Sequence, residues 1–270
     1  MDTYKGATVL ITGASTGIGK AFAELLAARG ANLVLTARST DKLENLRTSL
    51  QEAHNVTIDV IPKDLSRLGA ASEMHHEITS REINVDMLIN NAGFGKWGPF
   101  LNFDVDCYNE MVQLNINALI ELSRLCLPAM MEKANGGIIN VASTASFVPL
   151  PYSTVYAATK ACVLSFSEGL YGEVAHKGVH VMALCPGATK TEFASVASNE
   201  MDITYSKYDS AESVAEEGLV EFLKGTSCHI TGKGNGSVAL LPRILSRRRV
   251  IKTTKKMWGG MLTSRGMKLD

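Results

Sequence analysis

The stretch "TVLITGASTGIGKAFAELLAARG", residues 8–30, constrains the fold of this chain more than any other. A β-branched apolar run ends in a glycine turn, and an amphipathic helical pattern follows at once. Five more short apolar runs recur at 32–38, 56–62, 85–93, 136–143 and 179–187. Helical patterns separate them, at 17–29, 41–54, 69–82, 104–132, 156–176 and 211–224. This alternation predicts an α/β fold, a doubly wound parallel sheet with helices on both faces, and ligand at the carboxyl ends of the strands. With 270 residues, 46% of them hydrophobic, one large core is affordable. A charged fraction of 20% at zero net charge excludes a disordered polyelectrolyte.

The glycine turn "TGASTGIG" carries Gly13, Gly17 and Gly19 in GxxxGxG spacing, with Ser15, Thr16 and Ile18 between them. Such a turn lets the backbone approach a pyrophosphate at the free N–H groups of a helix start. Strand–turn–helix context makes it a Rossmann-type dinucleotide site. The second strand then selects the dinucleotide. An NAD site usually offers an acid to the ribose 2′-hydroxyl. Here "LVLTARST" places Arg38 at that point, a cation suited to a 2′-phosphate, and Asp41 reads as a helix-start residue. NADP(H) is therefore the expected cofactor.

Tyr156 and Lys160 stand four apart in "STVYAATKACVL", which puts both on one face of a helix. A free phenol titrates near 10. A cation one turn away is expected to lower that value and make the phenol a usable acid or base. Ser143, at the end of a strand, can face the same cleft and polarise a carbonyl oxygen.

Together these motifs resemble the short-chain dehydrogenase/reductase family, over about residues 6–232. The resemblance also rests on "KDLS" at 63–66, "NNAG" at 90–93, Asn115 in "QLNINA" and "PGATKT" at 186–191. It implies that Asn115, Ser143, Tyr156 and Lys160 form the catalytic set, with Asn115 holding a water behind the lysine and Lys160 also binding the nicotinamide ribose. It implies that Asp64 and Leu65 contact the adenine, and that Asn91, Ala92 and Gly93 line the cofactor cleft. Pro186, Gly187 and Thr189 would wrap the nicotinamide, and residues 189 to about 208 would form a lid. It further implies a homodimer or homotetramer through helices 104–132 and 156–176.

The lid carries few cations, and Trp97, Phe100 and Phe103 lie in the loop after the fourth strand. An apolar, partly aromatic pocket suits a lipophilic carbonyl such as a 3-oxoacyl thioester or a steroid-like ketone. The expected activity is thus NADPH-dependent reduction of such a carbonyl. An NAD(P)-dependent alcohol or hydroxysteroid oxidase and a non-catalytic NADPH-sensing regulator are the alternatives. A serine hydrolase is disfavoured, because no GxSxG elbow occurs.

Five scattered cysteines lack CxxC spacing and read as free thiols of a reducing, cytoplasmic compartment, and no metal site is expected. No signal peptide or spanning run is recognised. Residues 1–241 are assigned to the dinucleotide-binding catalytic domain, and 242–270 to a basic tail. That tail holds nine Lys/Arg against Asp270 alone. As a helix over 243–262, it gathers Ile244, Ile251, Met257, Trp258, Met261 and Leu262 on one side and its cations on the other. Such a helix packs on its own domain or a dimer mate, or lies peripherally on an anionic membrane surface. Nucleic acid is not an expected partner, since no DNA-reading motif occurs.

Overall fold

The computed structural model describes residues 1, 3–198 and 208–269. Strands and helices alternate from the start: β1 (Thr8–Thr12), α1 (Gly17–Ala28), β2 (Asn32–Thr36), α2 (Thr40–Ala53), β3 (Ile58–Val60), α3 (Ala70–Ser80) and β4 (Met87–Asn90). There follow α4 (Val105–Val112), α5 (Ala118–Glu132), β5 (Gly136–Val141), α6 (Thr154–Val174) and β6 (Val179–Cys185). The remainder comprises β7 (Thr189–Lys190), α7 (Phe193–Ala197), β8 (Asp209–Ser210), α8 (Ala211–Leu223), β9 (Cys228–Ile230), α9 (Gly236–Ile244) and α10 (Arg247–Ser264).

Seven strands form one parallel sheet in the order β3-β2-β1-β4-β5-β6-β9. The order reverses at β1, so a crevice opens between the carboxyl ends of β1 and β4. All six predicted strands are present. The short edge strand β9 escaped the sequence pattern because three residues are too few to show a period. β7 and β8 pair separately at the mouth of the crevice.

Alternate residues of the buried strands feed two core layers. On one face Phe22, Leu26, Leu33, Leu35 and Phe222 pack under α1, α2 and α8. On the other Leu10, Met74, Leu88, Leu122 and Ile138 pack under α3, α5 and α6. Each such side chain contributes about 1.5–3 kcal/mol through removal from water. A buried polar chain crosses the second layer. Asn90 Nδ2 donates to Asn140 Oδ1 (2.9 Å) and Ser123 Oγ (3.1 Å), and Asn140 Nδ2 donates to Ser167 Oγ (2.9 Å). It ties β4 and β5 to the helices that carry the site.

Two expected helices differ from the sequence pattern. The run 104–132 is interrupted by a π-helical turn over Gln113–Asn117, with Asn115 buried at its centre. Such turns insert where a side chain must be re-aimed. The tail is two helices, not one. Leu245 turns extended and Ser246 restarts the chain as α10, so the expected 243–262 register is lost. The 241/242 boundary falls inside α9. Ile244, Ile251 and Met257 are exposed. The inward stripe is instead Val250, Thr254, Trp258 and Leu262, at a four-residue spacing, with Met261 beside it. Among the described residues no helix is long and apolar enough to cross a membrane, and all five cysteines are free thiols.

Candidate active site

At the end of β1 the chain turns on Gly13, whose φ is +67°. A side chain there would approach Asn91 Nδ2 to 2.9 Å, and one on Gly19 would collide with the Gly13 carbonyl oxygen. Only glycine allows α1 to start so close to the sheet. Thr16 caps α1 without a side-chain bond, and no acid occupies the first turn. The first N–H groups and the positive dipole end therefore stay available, which suits a pyrophosphate. Ser15 and Thr16 are half-buried beside them, while Ile18 turns back against the core.

Asn91 braces this turn from β4. Its Nδ2 donates to the Thr12 and Gly13 carbonyls at 2.9 and 3.2 Å. Thr12 Oγ1 in turn accepts from the N–H groups of Asn91 and Ala92 at 3.0 and 2.9 Å. Asn91 thus supports the cleft, and Ala92 packs into the core. Gly93 lies open to the site: a side chain there would meet Asn115 Oδ1 at 2.9 Å and Lys160 Nζ at 3.5 Å.

Arg38 is exposed just past β2, directly before the Ser39 cap of α2, and Asp41 sits in the first turn of that helix. Asp64 is pinned by Ser66, whose N–H and hydroxyl donate to Oδ1 at 3.0 and 2.7 Å. Leu65 is buried in the core, so an adenine could meet only its main chain. Pro186 accepts from Thr144 N–H at 2.9 Å, and Thr189 Oγ1 donates to the Gly187 carbonyl at 3.1 Å. Of the expected lid, 199–207 lies outside the described residues. The rest comprises β7 and α7.

The four expected catalytic side chains gather at the carboxyl ends of β4 and β5. Ser143 caps a short 3-10 turn after β5, its Oγ accepting from Ala145 N–H at 3.1 Å, and its hydroxyl lies close to the Tyr156 phenol. Lys160 is buried, its Nζ 5.9 Å from the Tyr156 ring centre and donating to the Val141 carbonyl at 2.7 Å. Asn115 accepts from Phe94 N–H at 3.1 Å and donates to the Phe94 carbonyl (2.9 Å) and Thr159 Oγ1 (3.0 Å). Thr159 donates onward to the Tyr156 carbonyl at 2.7 Å. Thr159 was not foreseen, because a threonine inside a helix carries no local signal.

One electrostatic expectation is corrected. Burial pushes the Tyr156 phenol up to about 12, with the Ser143 hydrogen bond acting in the opposite direction. Burial also lowers the Lys160 ammonium to about 8. The lysine does not bring the phenol down. Removal of charge from water is the largest cause at both groups, raising the phenol and lowering the ammonium.

An aromatic wall stands over the phenol. The Phe193 ring lies 5.3 Å from the Tyr156 ring, and Gly95 leaves the space that both need. Trp97 meets Phe193 at 6.3 Å and Trp258 of α10 at 5.3 Å. Leu262 completes this cluster and is fully buried. Phe193 and the tail residues were not assigned to the site from sequence, because only the folded chain brings them to Tyr156. Lys96 donates to the Val196 carbonyl of α7 at 3.2 Å. Phe100, Phe103, Tyr108 and Met111 line a cavity of about 10 Å³ beside Tyr156.

Comparison with known proteins agrees with this geometry. Residues 7–202 match the short chain dehydrogenase family model. The very-long-chain 3-oxoacyl-CoA reductase-B of Danio rerio is 35% identical over 202 residues, covering 73% of this chain. That match spans 64% of the relative, so the chain accounts for a little under two thirds of its length. A short-chain dehydrogenase from Sphingobium yanoikuyae, solved in complex with NADPH, is 30% identical with 98% of each chain covered and a TM-score of 0.78. A bulky-bulky ketone specific alcohol dehydrogenase from Comamonas testosteroni is 31% identical, with 94% and 93% covered and a TM-score of 0.74. By its matched model, its sheet order and its glycine turn, the chain belongs to the short chain dehydrogenase family of oxidoreductases.

Proposed function

We propose that the protein is an NADP(H)-dependent reductase of a lipophilic carbonyl compound. The observation that carries this is the phenol of Tyr156, set beside Ser143 and against the Phe193 ring, with the buried Lys160 one helical turn away. A proton donor at neutral pH is what carbonyl reduction requires, whereas alcohol oxidation requires a base. When bound, a nicotinamide cofactor supplies the hydride.

The remaining work falls to the chain. The glycine turn and the open N-terminus of α1 would hold the pyrophosphate, and Arg38 would hold a 2′-phosphate. Gly93 lies beside Asn115 Oδ1 and Lys160 Nζ, and a ribose hydroxyl would be met there. Ser143 would orient the carbonyl oxygen, and Tyr156 would deliver the proton to it. Asn115 fixes Phe94 and, through Thr159, the backbone of Tyr156, so the proton donor is held from behind. Trp97, Phe193 and Trp258 exclude water from the reacting centre and favour an apolar substrate. The similarity to a very-long-chain 3-oxoacyl-CoA reductase and to a bulky-bulky ketone specific alcohol dehydrogenase supports that class. Assembly as a homodimer or homotetramer through α4, α5 and α6 is part of the same proposal.

NADPH oxidation over a panel of acetoacetyl thioesters, ketosteroids, quinones and aromatic aldehydes tests it. Turnover of at least one apolar ketone, abolished in Tyr156→Phe, is expected. Activity surviving in Tyr156→Phe with its pH profile intact would overturn the assignment of the acid.

A further inference from the structure

A second groove shares Tyr152 with the cavity beside Tyr156. Its volume is about 540 Å³, and Lys252, Lys255, Lys256, Gly259, Gly260 and Tyr152 line it. The three lysines are exposed, and none has an ion-pair partner among the described residues. No acid occurs between residues 243 and 269 to offset them.

The local sequence has costs that the groove explains. Two adjacent glycines inside α10 weaken a helix by about 1 kcal/mol each. At Gly259 a side chain would stand 3.0 Å from Tyr152 Cε2, so this glycine lets the helix close on that ring. At Gly260 nothing lies within 4 Å, and the missing side chain leaves the groove floor open. Tyr152 itself holds φ at +65°, and its carbonyl accepts from Gly98 N–H at 2.8 Å. The same ring lines the cavity beside Tyr156. Tyr152 therefore borders both the groove and the cavity beside Tyr156.

We propose that Lys252, Lys255 and Lys256 bind the phosphate-bearing end of a carrier-linked acyl substrate, whose carbonyl is reduced at Tyr156. The proposal rests on the reductase reading above. Three ammonium groups along one helix face suit several phosphate oxygens at once, as point-charge contacts. An anionic lipid surface offers the same chemistry, but the fold argues against it. Amphipathic helices hold a bilayer by burying their apolar face. In α10 that face, Val250, Trp258 and Leu262, is already turned into the protein. The three lysines that remain outside line one open groove together with Tyr152.

The test titrates coenzyme A, at saturating NADP+ so that the dinucleotide site is filled, against the full chain and its Lys252→Ala/Lys255→Ala/Lys256→Ala variant. Wild type is expected to bind coenzyme A in a salt-sensitive way, and the variant to bind it roughly tenfold or more weakly. For acetoacetyl-CoA the variant's KM rises by a similar factor with kcat unchanged. For the acetoacetyl N-acetylcysteamine thioester, which lacks phosphate, neither parameter moves. Coenzyme A bound equally by both proteins, or by neither, overturns the proposal even if ketones are reduced. Binding of phosphatidylserine–phosphatidylcholine vesicles that the variant loses, without any coenzyme A binding, overturns it in favour of a lipid surface. Coenzyme A binding lost in the variant with no ketone reduced by wild type retains the phosphate site and removes the reductase reading.

Discussion

The docking of α10 over the site makes a sharp prediction at Leu262. This side chain is fully buried against Trp97 and Trp258, whereas Met257 on the same helix is 66% exposed. Leu262→Ala removes three buried carbon atoms and leaves a cavity between α10 and the loop that follows β4. Such changes cost about 3 kcal/mol or more once the cavity is included. If α10 opens locally before the domain unfolds, its open fraction rises roughly 100-fold. The helix begins with Arg247, Arg248 and Arg249 and continues with Lys252, Lys255 and Lys256, so trypsin reads that opening directly. Cleavage within 247–256, followed by mass spectrometry at low protease, should accelerate by about that factor in Leu262→Ala. Met257→Ala should leave the rate within about threefold of wild type. Equal acceleration by the two variants, or by neither, refutes the inward face assigned to α10.

Four further outcomes follow from the site. Tyr156→Phe should lower kcat roughly 10²–10⁴-fold while leaving NADPH affinity unchanged, and a parallel loss of affinity would point to a misfolded site. Arg38→Asp should weaken NADPH roughly 10-fold or more and spare NADH, as equilibrium titration of both would reveal. Gly19→Val should abolish dinucleotide binding, since its side chain would strike the Gly13 carbonyl; retained binding would mean the turn is looser than described. Lys160 should make stability pH-dependent. Its folded value is lowered to about 8 from 10.5, so between these the unfolded chain holds the extra proton and stability rises with pH. That gain, roughly 3 kcal/mol in full, is lost as pH falls through 8 and is absent in Lys160→Met; a denaturation difference flat with pH would refute it.

Much of this was readable along the chain because it depends on neighbours in sequence. β-branched runs bounded by turn residues marked six strands of the main sheet. GxxxGxG marked the first helix start, and a four-residue spacing put Tyr156 and Lys160 on one face. Asn115 was named by resemblance alone. The π turn that aims it at Phe94 and Thr159 is a backbone register shift, without a signature in residue types.

The sequence by itself determined the parallel sheet, the crevice at its carboxyl edge and the shared helix face of Tyr156 and Lys160, because local periodicity and turn chemistry act over a few residues. Only the tertiary structure decided their electrostatics and their cover. Burial depends on everything packed around a group, so the phenol that a nearby lysine was expected to acidify is pushed up to about 12 instead. The face of a tail helix depends on where the preceding turn breaks. One extended residue at Leu245 turned Val250, Trp258 and Leu262 inward, with Trp258 and Leu262 in the cluster of Trp97, and left three lysines around a groove outside.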